Sequence, residues 1–135
     1  MLKRIVALFY AIISLAVVAF QVALAVGAPW GAFAMGGAFP GQFPPALRIA
    51  ALFQAVLLLA LAAVVLARAG VLHPGWSRVS RWLIWFAVAF AALSLVLNLI
   101  TPSAGERAIW TPVAFLLLIS SGVVAFTSSS ERAAQ

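Results

Sequence analysis

Apolar residues fall in four long blocks, about 5–26, 46–67, 83–100 and 112–126, and most of the charge sits in the breaks between them. Each block approaches the ~20 residues that a helix rising about 1.5 Å per residue needs to cross a bilayer core. The pattern predicts an all-α membrane protein, a single domain over 1–135 built as a bundle of four transmembrane helices. The first block begins after Lys3 and Arg4 and ends near Ala23-Leu24-Ala25, which imitates a secretory signal. Its apolar run is too long for that, since a signal core has about 7–15 residues, so it is expected to be a membrane helix.

The breaks carry recognisable stop and start signals. Gly70 and His73-Pro74-Gly75 turn the chain between the second and third blocks, and Thr101-Pro102 ends the third. Ser103 and Glu106 have the S-x-x-E spacing of a capping box, which predicts a short helical turn before the fourth block, with Pro112 at the bend. Residues 127–135 read as a frayed polar tail.

Composition supports the membrane assignment. Hydrophobic residues make up 67% of the chain and charged residues 7%, against roughly 45–50% and about 25% in soluble domains. The net charge of +6 is scattered over the breaks rather than clustered, so it points to membrane topology and not to nucleic acid. With both ends on one side, that side holds Lys3, Arg4, Arg68, Arg78, Arg81 and Arg132, and the opposite side holds only Arg48 and Arg107. The positive-inside rule then puts both termini in the cytoplasm and argues against a dual-topology dimer. Trp76, Trp82 and Trp85 gather at the cytoplasmic interface, and Trp30 and Trp110 at the outer one, as aromatic belts do.

Little is available for catalysis. There is no cysteine, one histidine and two acidic residues. Thiol chemistry is excluded, no ligand-spaced cluster predicts a metal site, and no cofactor is expected. His73 lies alone in a turn. Glu106 is sufficiently explained as a cap, and it is also placed to pair with Arg48 across the outer mouth.

Polar residues inside the blocks cluster by depth. Gln21 lies roughly 7–8 Å below the outer end of the first helix and Gln54 about 12 Å below that of the second. Ser94 and Asn98 sit one turn apart on the outer part of the third, and Ser120 and Ser121 near the middle of the fourth. The inner half has little beyond Tyr10 and Ser14. One reading is interhelical hydrogen bonding, worth about 0.6 kcal/mol per pair, helped by close packing at Ala51 with Ala55 and Ala87 with Ala91. The other is an outward-opening pocket lined by Gln21, Gln54, Ser94 and Asn98, with Arg48, Glu106, Arg107 and Trp30 at its outer rim. Above it, residues 27–45 are rich in Gly, Pro and aromatics and carry no charge. That stretch reads either as a lid or as an interfacial loop resting Trp30, Phe33, Phe39 and Phe43 on lipid headgroups, the commoner arrangement.

Gly27-Ala28-Pro29-Trp30-Gly31, Gly36-Gly37, Pro45-Ala46-Leu47-Arg48-Ile49, Asn98 and the run Glu106-Arg107-Ala108-Ile109-Trp110-Thr111-Pro112-Val113 together resemble a family of small bacterial four-span integral membrane proteins, themselves uncharacterised. The resemblance implies a multi-pass protein of the bacterial inner membrane and supplies no activity. The reading that follows is a non-enzymatic protein holding a lipid, a small apolar solute or a partner protein in its outer half. The alternative is a channel or transporter, which four helices could form only as a homo-oligomer. A proton-coupled exporter is disfavoured because no acid lies within a span.

Overall fold

The computed structural model describes the backbone of residues 1–135 and every side chain except that of Pro74. Four helices account for most of it: α1 (Leu2–Ala25), α2 (Pro45–Arg68), α3 (Ser77–Ile100) and α4 (Ala104–Ala133). The described residues contain no strand. All four helices are long and apolar enough to cross a membrane, and the architecture is that of a multi-pass membrane protein. At 24 residues, α1, α2 and α3 each extend about 36 Å, longer than a hydrocarbon core of about 30 Å.

The helix ends follow from local chemistry. Helices α1 and α2 stop at Gly27 and Gly70, where the next amide bonds back five residues, Ala28 to the Ala23 carbonyl at 2.9 Å and Val71 to that of Leu66 at 2.9 Å. Pro45 opens α2 at a first-turn position, where its missing N–H costs nothing. Pro102 disfavours helix in the residue before it, so Thr101 is extended and α3 ends at Ile100.

Helix α4 differs from expectation at both ends. It forms no separate turn before residue 112; it is continuous for 30 residues with Pro112 inside it. Nor does the tail fray within 127–133. Ser129 and Ser130 donate to the carbonyls of Ala125 and Phe126 at 2.9 and 3.0 Å, within their own helix. The segment also docks on its neighbours. The Arg68 guanidinium donates to the Ser128 carbonyl at 3.3 Å, the Ser128 hydroxyl returns a bond to the Arg68 carbonyl at 3.4 Å, and Lys3 pairs with Glu131.

Sequential helices pack as antiparallel hairpins, α1 on α2 and α3 on α4, and α1–α4 and α2–α3 contacts close the ring. The two halves of the bundle are packed differently. Toward the end that carries both termini, Tyr10, Leu61, Val65, Ile84, Leu117 and Val124 form a continuous buried cluster with alanines from all four helices. Ala51, Ala55, Ala87 and Ala91 are all buried, as close helix approach requires. Large apolar side chains such as Ile12, Phe53, Phe86 and Val96 cover the outside of the bundle, a surface suited to hydrocarbon and not to water.

Candidate functional site

At the end opposite the termini, here the loop end, the helices enclose a cavity of about 530 Å³. Its walls are mainly apolar, with Val17 and Phe20 from α1, Leu58 from α2, Phe90 from α3 and Val113 from α4. Gln21, Gln54, Ser94 and Asn98 line it together, with Glu106 near the roof. Five of the eight residues picked out in the sequence therefore share one space. Gln21 is buried, Ser94 and Asn98 are half-buried, and Gln54 is exposed on the side of the bundle. The exposed residues Ala50, Leu97 and Ile100 line the same space from α2 and α3. The cavity wall is thus exposed between these two helices, and also beside the roof, where Phe33, Met35 and Pro102 are exposed.

The hydrogen bonds of the polar layer run differently from a helix-to-helix network. Asn98 Nδ2 donates to the Ser94 carbonyl of its own helix at 2.7 Å. Ser120 and Ser121 likewise bond back to Leu116 and Leu117, at 2.6 and 2.8 Å, and neither lines the cavity. Serine hydroxyls reach the preceding turn of their own helix more readily than a neighbouring backbone. Among the described residues, the one inter-helix bond in this layer is made by Thr111, whose hydroxyl donates to the Asn98 carbonyl at 3.2 Å.

The roof is the segment between α1 and α2, folded inward as two short 3-10 turns, Gly31–Phe33 and Met35–Gly37. Three bonds pin it to α4 and its approach, through Gly36, Ala32 and Phe33. The Glu106 carboxylate accepts from the Gly36 amide at 2.7 Å and from the Thr101 hydroxyl at 3.0 Å. The Ser103 hydroxyl donates to the Ala32 carbonyl at 2.9 Å, and Trp110 Nε1 donates to the Phe33 carbonyl at 2.7 Å. Gly36 presents its amide from a left-handed conformation, φ +70°, which a side chain would disfavour. Gly31 is required by space: a Cβ there would lie 1.9 Å from the Phe39 carbonyl oxygen.

Several expectations change in consequence. The capping box forms only by half. The Ser103 hydroxyl accepts from the Glu106 amide at 3.2 Å, but the Glu106 carboxylate is taken by the roof. For the same reason Glu106 does not meet Arg48, whose Nε donates to the Phe43 carbonyl at 2.8 Å. Arg107 donates to the Thr101 carbonyl at 2.7 Å, and neither arginine lines the cavity. Trp30 does not line it either. Its ring stacks on Phe20 with centroids 6.1 Å apart, and Phe20 in turn meets Trp110 at 4.6 Å, an aromatic column along the α1–α4 side. Phe43 rests on no headgroups; it is buried against Leu24 and Ala51.

The sequence reading missed the aromatic lining, Tyr10, Phe20, Phe90 and Trp110. An aromatic residue on an apolar helix carries no signal of which face it occupies. Trp110 alone gave a cue, because an indole N–H near a membrane interface requires an acceptor. No family model, no curated protein and no solved structure matches the chain, so the family resemblance of the loop motifs stands on those motifs alone.

Proposed function

We propose that this chain is a non-enzymatic protein of the bacterial inner membrane, with both termini cytoplasmic, that takes an apolar molecule from the outer leaflet into the loop-end cavity. The observation that carries the proposal is the cavity itself, at about 530 Å³ within the range of small-molecule sites and exposed between α2 and α3. Its apolar walls suit a lipid chain or a small apolar solute. Its polar groups are neutral carboxamides and hydroxyls apart from Glu106, and that carboxylate already holds the roof. A charged headgroup would enter without a counter-charge, so the favoured occupant carries an uncharged polar group. The charge asymmetry of the breaks supports the orientation.

The rival reading, a homo-oligomeric channel using the same polar residues, has less support. A polar path through one bundle would end at the apolar cluster around Tyr10, Val65 and Ile84, which fills the terminal half.

The test is native mass spectrometry of protein extracted in mild detergent, comparing wild type with Ala50→Trp. Residue 50 is exposed at the lateral opening, so a large side chain there obstructs entry without disturbing buried packing. One uncharged lipid or apolar adduct per chain is expected, strongly depleted in the variant. Equal occupancy by uncharged adducts in both proteins would overturn the proposal.

A further inference from the structure

A second cleft lies at the terminal end, about 240 Å³, between the ends of α2, α3 and α4. We infer that this cleft, with Arg68, Arg81 and Arg132 converging from three helices beside Trp82 and Trp85, binds the phosphate headgroup of an anionic phospholipid. The site is separate from the loop-end cavity and does not depend on what that cavity holds.

Three arginines line the cleft and no acid does. Arg81 and Arg132 stand close enough to Arg68 to act on it as like charges, an arrangement that costs free energy unless an anion sits among them. The chain supplies that anion only in part. Of its two acids, Glu106 is at the loop end, and Glu131, which attracts Arg68 but does not line the cleft, is engaged by Lys3. Arg81 adds a more direct sign: its Nε is buried with no hydrogen-bond partner among the described residues. A buried guanidinium N–H left unpaired is costly, and a phosphate oxygen is the partner its planar fork fits best. Arg68 is partly satisfied by the Ser128 carbonyl at 3.3 Å, and Ser129, whose hydroxyl donates to the Ala125 carbonyl, also lines the cleft.

Phosphate could come from a lipid or from a soluble compound, and the surroundings favour the lipid. Trp82 and Trp85 are both exposed on the flank of the bundle, where indole rings sit at headgroup level. Trp85 packs edge-on against Phe126 with centroids 5.2 Å apart. That pair forms an apolar wall running from the cleft toward the membrane interior, a path for an acyl chain whose phosphate lies among the arginines. Basic pockets between membrane helices on the cytoplasmic side recognise anionic headgroups in this way.

The experiment presents the purified protein with equal amounts of phosphatidylglycerol and phosphatidylcholine in mixed micelles and counts retained lipids by native mass spectrometry. Preferential retention of phosphatidylglycerol is expected, falling about fivefold for each arginine removed in Arg81→Gln and in Arg81→Gln with Arg132→Gln. Arg48→Gln with Arg107→Gln removes the same charge at the loop end and should leave the preference intact. The single variant Arg81→Gln serves alone should the double variant fail to fold. Equal retention of the two lipids, or a preference untouched by Arg81→Gln, would overturn the inference. Displacement of the bound lipid by millimolar inorganic phosphate would also overturn it, in favour of a soluble phosphate ligand.

Discussion

Glu106 is the side chain that joins the roof to the bundle. Its S-x-x-E spacing from Ser103 announces a helix start, and the helix does start there. The spacing could not reveal that the carboxylate would bond the amide of Gly36, 70 residues earlier in the chain. A glutamate that reaches back to its own cap and one that reaches out to a loop have the same local sequence; only the tertiary fold separates them. The bond has a measurable consequence. A hydrogen bond to a charged acceptor contributes about 1 kcal/mol more than one to a neutral acceptor. Glu106→Gln keeps the shape and loses the charge, so the roof should open more often while the bundle stays folded. Hydrogen exchange at the Gly36 amide should speed up about fivefold, the factor that about 1 kcal/mol represents, and exchange within α2 and α3 should not change. Unaltered protection at Gly36 would show that the roof is held by the Ser103 and Trp110 bonds alone.

Among the elements, α4 shows where sequence reading succeeds and where it fails. The existence of four helices was legible because each needs an apolar run of membrane length, and that signal is strong. The ends of α4 were not legible. Residues 127–135 look like a tail because serine is a weak helix former, yet Ser129 and Ser130 turn their hydroxyls onto the preceding turn and the helix continues to Ala133. Docking on α2 through Ser128 and Arg68 holds the segment in place, a contact between residues 60 apart that no local pattern encodes. The Lys3–Glu131 pair looks like a further anchor, and Lys3 holds the Glu131 carboxyl below its ordinary range. Glu131 is itself exposed, however, and exposed ion pairs contribute little to stability. Lys3→Ala should therefore leave thermal stability almost unchanged, whereas Ser128→Leu, which places a larger side chain at a buried contact with α2, should lower the melting temperature clearly. A large loss from Lys3→Ala would mean that the pair, and not the Ser128–Arg68 contact, fastens the end of α4.

At the scale of the molecule, the bundle is closed at one end and open at the other, and the two ends should respond differently to the same kind of substitution. Between membrane helices there is no hydrophobic drive as in water, because lipid tails are as apolar as the side chains they replace. What remains is packing: atoms removed from a filled interior leave a void, and atoms removed from a lipid-facing surface are replaced by lipid. Ile84 is 1% exposed within the terminal-end cluster, and Leu97 is 54% exposed beside the lateral opening. Ile84→Ala removes about 80 Å³, which at roughly 24 cal/mol per Å³ of retained void costs about 2 kcal/mol. Leu97→Ala should cost close to nothing in stability, because the bilayer fills the space, and it should widen the entrance to the cavity. Reversible unfolding in mixed micelles measures the first difference, and adduct occupancy by native mass spectrometry measures the second. Similar destabilisation by the two substitutions would mean that the loop end is packed as tightly as the terminal end, and a lateral entrance between α2 and α3 would then have no physical basis.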